Sequence, residues 1–192
     1  VAYIEFKPIF KGKKLSIELT DFAVFYNEDN LGINETLAKQ KPKVYTGRSM
    51  IKRTFKAKGI KYASELGLQN TKDLFEIIKW NNENGFDFFR ITSNLFPWCS
   101  EYKLEDMPDH WEITGILGEI GKYVDENNMR ITCHPGPFNV LVSPREHVVE
   151  NTITDLELHG KVFDMLGLSR TPYNKLNIHC NGVYGDKQSA MD

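Results

Sequence analysis

Long amphipathic segments alternate with short apolar runs along this chain, and few folds accommodate that rhythm. In residues 71–82 the apolar positions Leu74, Ile77 and Ile78 follow i, i+3, i+4 spacing, and Phe75 and Trp80 widen the stripe. That is the pattern of one buried helix face. Thr71 is expected to cap this helix and Asn84-Gly85 to end it. Residues 86–91 then read as a strand. The cycle repeats in residues 111–126, where Ile113, Ile116, Leu117, Ile120 and Val124 share one side and Asn127-Asn128 breaks the helix before a strand at 129–133. It repeats again in residues 148–166, which carry Ile153, Leu156, Phe163 and Leu166 and end at Gly167 before a strand at 176–180. An earlier apolar run, Leu31-Gly32-Ile33-Asn34, reads as a further strand. Helices long enough to cross a sheet between successive strands predict parallel pairing through right-handed βαβ units.

An open doubly wound sheet and a TIM barrel both satisfy this pattern. No GxGxxG or Walker motif follows any of the strands, which removes the usual reason to choose a nucleotide-binding open sheet. The 192 residues suit one domain with a real core. Residues 1–30 form a lead-in of two strand-like pieces, 1–6 and 15–25, around the basic turn Lys11-Gly12-Lys13-Lys14, and residues 31–192 form the α/β unit. Cys99, Cys133 and Cys180 are odd in number and widely spaced, with no CxxC pair. That excludes a disulfide framework and a cysteine zinc site, and fits small buried thiols in a reducing, intracellular compartment. No apolar stretch approaches the roughly 20 residues that span a bilayer, so no membrane partner is expected. Net charge is −2, but residues 1–62 hold 13 Lys+Arg against 6 Asp+Glu. A basic third of this kind faces phosphates in some proteins and is a solvated surface in more.

In parallel α/β folds ligands gather at the C-terminal ends of the strands. The first strand ends at Asn34, and the second runs into Thr92-Ser93-Asn94-Leu95-Phe96-Pro97-Trp98. The third runs into His134-Pro135-Gly136-Pro137-Phe138, and the fourth, carrying His179, into Asn181-Gly182-Val183-Tyr184-Gly185-Asp186-Lys187. His134 and His179 thus hold equivalent positions on consecutive strand ends. Imidazole at such places ligates metals or simply completes a hydrogen-bond network, and the pairing leaves both readings open. His159, within a helix, reads as structural, and His110 and His147, near helix starts, as surface residues. Glu101 and Asp106 serve either a metal or a solvated loop.

These strand ends resemble the ultraviolet damage endonuclease family. The matching stretches are Glu65-Leu66-Gly67-Leu68-Gln69-Asn70, Phe89-Arg90-Ile91-Thr92-Ser93-Asn94-Leu95-Phe96-Pro97, His134-Pro135-Gly136, Leu156-Glu157-Leu158-His159 and Ile178-His179-Cys180-Asn181-Gly182-Val183-Tyr184-Gly185-Asp186-Lys187. Several motifs in one order are far more specific than any one of them. The resemblance implies a TIM barrel related to endonuclease IV, of which about four of eight βα units are counted here, so that the chain reads as the N-terminal half. It implies a DNA-repair endonuclease that cuts 5′ to pyrimidine dimers in damaged double-stranded DNA with divalent metals, commonly manganese, and that is monomeric at full length. By the same resemblance His134 and His179 bind one metal, and Asn34, Arg48, Ser93, Pro137 and Phe138 face DNA. Glu101 and Lys187 are the candidate catalytic residues. The family commonly follows His-Pro-Gly with a lesion-probing Gln-Tyr pair, here replaced by Pro137 and Phe138. It often places a His near Ser100, where Glu101 now stands. Two rivals are a metal-dependent sugar isomerase of the same barrel type and a non-catalytic fragment that binds distorted DNA.

Overall fold

The protein is described from a computed structural model, which covers residues 44–136, 138–178, 185 and 188. Its elements alternate in chain order: α1 (Lys52–Glu83), β1 (Phe88–Ile91), α2 (His110–Glu126), β2 (Arg130–Cys133), α3 (Glu146–Leu166) and β3 (Lys175–Leu176). Single turns of 3₁₀ helix, Cys99–Glu101 and Leu104–Asp106, lie in the loop after β1. The run at residues 31–34 and the lead-in lie outside the described residues.

The three strands form one parallel sheet in the order β1-β2-β3. Phe88 to Ile91 pair with Arg130 to Cys133, and Thr132 and Cys133 pair with Lys175 and Leu176. The Asn177 N–H donates to the Cys133 carbonyl at 2.8 Å and extends the ladder one step further. Strand order follows chain order without reversal, and α1 packs on α2 as α2 packs on α3. Same-handed crossovers that never reverse put all the helices on one face. This is an arc of a (β/α) barrel rather than a doubly wound sheet, which reverses at a switch point.

The core lies between that helix layer and the sheet. Leu74, Ile77 and Ile78 of α1, Ile113, Leu117, Ile120 and Val124 of α2, and Val162 and Leu166 of α3 are buried against Phe89, Ile91 and Ile131. Each such side chain contributes about 1.5–3 kcal/mol on leaving water. The helix stops sit where the turn residues were expected. Asn84 and Gly85 close α1, Asn127 and Asn128 close α2, and Gly167 (φ 67°) caps α3 in the left-handed region.

Two expectations are corrected. Thr71 does not cap a helix. It is fully buried inside α1, and its hydroxyl donates to the Gly67 carbonyl at 2.8 Å. The helix starts at Lys52 instead and bends at Gly59, whose φ of 64° and ψ of −161° only glycine adopts without strain. The apolar periodicity begins near residue 71, but packing under the loop after β1 extends the helix backwards. In α3, Ile153 is exposed (45%), and the buried stripe is Thr152, His159, Val162 and Leu166. Those two polar residues are buried because both are satisfied. Thr152 Oγ1 donates to the Val148 carbonyl and accepts the Val140 N–H, while His159 Nδ1 donates to the Asp155 carbonyl at 2.7 Å.

Candidate functional site

Two loops leave the C-terminal ends of β1 and β2 on the same side of the sheet, because parallel strands point their ends the same way. Ser93 follows β1, where it is half-buried and lines a small cavity with Thr92, Cys99, Cys133 and His159. His134 follows β2 directly. Its Nδ1 lies 3.0 Å from Nη1 of Arg90, the penultimate residue of β1. Arginine only donates, so Nδ1 accepts and the ring proton sits on Nε2. The sequence carries a signal for Arg90: a charge inside an apolar strand must find a partner. Its register opposite Thr132 brings it next to the residue that follows β2.

The loop after β1 is braced from several directions. Asn70, fully buried in α1, accepts the Arg48 N–H and donates to the carbonyls of Arg48 and Leu95, each at 3.0–3.1 Å. Gly67 lies against Phe96, since a Cβ there would come within 2.7 Å of the ring. Trp98 adopts a left-handed backbone (φ 60°), uncommon for a bulky residue. Its indole N–H donates to the Met50 carbonyl at 2.8 Å, and its ring stacks on Phe55 at 5.8 Å. Asn70 and Gly67 belong to the Glu65–Asn70 motif, so that motif serves to hold the loop that carries Ser93.

The loop after β2 is pinned to α3. The Asn139 side-chain amide donates both to the Gly136 carbonyl (3.1 Å) and to Asp155 Oδ2 (2.7 Å), and the Val140 N–H donates to Thr152 Oγ1 (3.0 Å). Phe138, next to this clamp, is 89% exposed.

Arg48 is less open. Its guanidinium pairs with Asp73 at 2.7 Å, lies over the Tyr45 ring, and its side chain is 16% exposed. It therefore braces residues 45–48 against α1. Glu101 is exposed in the 3₁₀ turn, and its carboxylate makes no ion pair among the described residues. Asn34, Pro137, His179 and Lys187 lie outside the described residues. His147 is exposed, and His159 is the buried structural histidine already noted. Sequence reasoning missed Arg90, Asn70, Asp73 and the Asn139–Asp155 pair, all of which act across long chain separations.

Burial dominates the electrostatics of the cavity. It raises the Cys99 thiol to about 11 and the Cys133 thiol to about 12, with the Asp155 carboxylate adding to both. Both cysteines are free. Burial first, and then Cys99, pushes the Tyr102 hydroxyl above its ordinary range. Among the described residues no three His, Cys, Asp or Glu side chains come together as a metal-binding group. Of the two histidines His134 and His179 only the first is described, and with its Nδ1 taken by Arg90 the described residues do not by themselves fit a divalent ion, which needs several donors.

Comparison with known proteins accounts for the arrangement. A profile of the UV-endonuclease UvdE family matches residues 31–192. A putative UV-damage endonuclease of Acanthamoeba polyphaga mimivirus is 36% identical over 150 residues, covering 78% of this chain and 46% of that protein. The UV-damage endonuclease of Schizosaccharomyces pombe is 34% identical over 167 residues, covering 83% and 27%. The UV DNA damage endonuclease of Clostridium perfringens is 35% identical over 124 residues, covering 65% and 29%. Among solved structures, the crystal structure of SacUVDE superposes with a TM-score of 0.66 at 28% identity, over 79% of this chain and 50% of that one. The chain thus spans less than half the length of these curated relatives, and its sheet and helices form part of a TIM-barrel-type fold. By its sequence over residues 31–192 and by its fold, the chain belongs to the UV-endonuclease UvdE family.

Proposed function

We propose that this chain is the N-terminal part of a DNA-repair endonuclease that nicks the backbone 5′ to ultraviolet photoproducts in duplex DNA. Phe138 carries the reading: an aromatic ring 89% exposed beside a loop clamped to α3, next to the strand end that bears His134. A distorted duplex stacks poorly at the lesion, and an aromatic side chain on a fixed loop enters such a step at less cost than in intact DNA. Pro137 and Phe138 stand in the sequence where the family carries its probing pair, and Ser93 lies on the neighbouring loop, which leaves the same end of the sheet.

The divalent ions implied by the family, manganese among them, activate water and neutralise charge on the scissile phosphate when bound. In this reading His134 and His179 supply part of the ligand set, and the rest comes from the length that the relatives have beyond this chain. The Arg90 guanidinium holds Nδ1 of His134 and has to release it before the ring, whose other nitrogen carries the proton, can ligate a metal. Lys187 and Glu101 are the proposed acid–base partners and Asn34 is a proposed DNA contact, while Arg48, paired with Asp73, braces residues 45–48 beside it.

The test is nicking of ultraviolet-irradiated supercoiled plasmid by the full-length protein, with manganese and with chelator, beside unirradiated plasmid. Selective, manganese-dependent nicking is expected. Uptake of manganese without nicking, or turnover of a small sugar instead, would overturn the reading.

A further inference from the structure

The segment that leads into the long part of α1 has a role that the strand-end site does not explain. Lys52, Arg53, Lys56, Lys58 and Lys61 are all exposed and surround the bend at Gly59. Among the described residues none of them forms an ion pair with a carboxylate, whereas Lys72, Lys79, Lys122 and Lys161 each pair with a glutamate. Cations grouped without counter-charge repel one another, so their clustering is not a stability device. At 100° per residue, Lys52, Arg53 and Lys56 fall within roughly 100° of arc and form one face. Phe55 adjoins this face and stacks on Trp98, over whose ring Lys52 Nζ also lies at 5.7 Å, with Tyr102 a further 6.2 Å neighbour. Trp98 in turn donates to the Met50 carbonyl just before the helix. The turn is therefore fastened to the loop after β1, on the side of the barrel where Ser93 and His134 lie. The left-handed backbone at Trp98 shows that this fastening is built at some conformational cost.

We propose that Lys52, Arg53 and Lys56 form a phosphate-binding strip that tracks the backbone of duplex DNA beside the lesion site. The inference rests on the DNA-directed reading above and adds a surface to it. The complementary partner is a polyanion with closely spaced charges, which duplex DNA provides at about one charge per 1.7 Å of axis. The strip carries no base-reading chemistry of its own. It adds affinity without lesion selectivity, while Phe138 supplies discrimination.

The experiment uses the full-length protein and short duplexes with and without a single photoproduct, with affinity measured across a salt series. Replacing the strip (K52Q/R53Q/K56Q) is expected to reduce the slope of log K against log salt by roughly 2–3, at about 0.9 for each phosphate left unneutralised. The fold-loss should be the same on damaged and intact duplex, so their affinity ratio stays unchanged. The control K79Q/K122Q/K161Q removes as much charge from paired sites and should leave the slope within about 0.5 of wild type. Phe55→Leu, with folding verified by thermal melting, should lower the slope partway because the strip is no longer held by the Trp98 stack. Equal slope losses in strip and control variants would overturn the proposal, as would an unchanged slope or selective loss on damaged duplex alone. So would tight binding of the strip to anionic lipid vesicles with no effect on duplex. If the wild-type protein binds duplex with a steep slope but does not prefer damaged DNA, the strip stands and the repair reading fails.

Discussion

Replacing Asn70 with alanine should be among the most damaging single changes in the described part of the chain. Asn70 is fully buried and makes three hydrogen bonds, one from the Arg48 N–H and two to the carbonyls of Arg48 and Leu95. Alanine leaves all three backbone groups behind. The Leu95 bond is buried, so its carbonyl loses its partner without water to replace it, at a cost of about 1–3 kcal/mol. The two Arg48 groups are only partly buried, and water recovers some of their loss, which leaves about 1 kcal/mol each. The expected total is about 3–5 kcal/mol, before any contribution from the small cavity. Asn70→Asp separates hydrogen bonding from volume. The carboxylate still accepts from the Arg48 N–H but turns an oxygen toward two carbonyls that need a donor. It should cost at least as much as alanine despite its shape. The assay is denaturant unfolding of the full-length protein, followed by the fluorescence of Trp98, whose loop Asn70 anchors. A loss below about 1 kcal/mol for both variants would show that the loop does not depend on this side chain, and would refute the bracing argument.

Gly121→Ala should be strongly destabilising, since an added Cβ would lie 1.6 Å from the Leu166 carbonyl oxygen and α2 could no longer approach α3. A loss of about 3 kcal/mol or more is expected from overpacking against backbone, whereas Gly115→Ala on the open side of the same helix should gain up to about 1 kcal/mol; comparable melting temperatures for the two would contradict the packing. Cys99 and Cys133 should resist alkylation at pH 8, read residue by residue by mass spectrometry, because both thiols remain protonated well above that pH. Their folded-state values are raised, so the unfolded chain loses these protons first, and stability should be steady below about 9 and fall as pH rises toward about 11 and then about 12. Rapid labelling of either residue in the native protein would count against its burial. Phe138→Ala should leave the melting temperature within about 1 °C, given its exposure, while lowering the preference for damaged over intact duplex by about tenfold, near 1.4 kcal/mol; an unchanged preference would remove Phe138 from lesion recognition.

The order and type of the elements were written locally, in residues close together along the chain. Leu74, Ile77 and Ile78, and then Ile113, Leu117, Ile120 and Val124, repeat at helical spacing and are the residues that pack on the sheet. Asn84-Gly85, Asn127-Asn128 and Gly167 stop the helices because left-handed or irregular backbone is a property of the residue itself. The strand-end motifs likewise named the family, since their order is a linear property.

Tertiary contact decided the rest. Thr71 reads as a helix cap, yet the helix runs back to Lys52 and the packing of its inner face buries Thr71 completely, with its hydroxyl satisfied one turn back. The family resemblance has Arg48 face DNA, yet Asp73, far along the chain, takes its guanidinium. Arg90 and His134 meet only because two parallel strands place residues 44 apart side by side. Helix periodicity and turn preference are short-range and survive in any context. Which polar group finds which partner depends on distances that exist only once the sheet has formed.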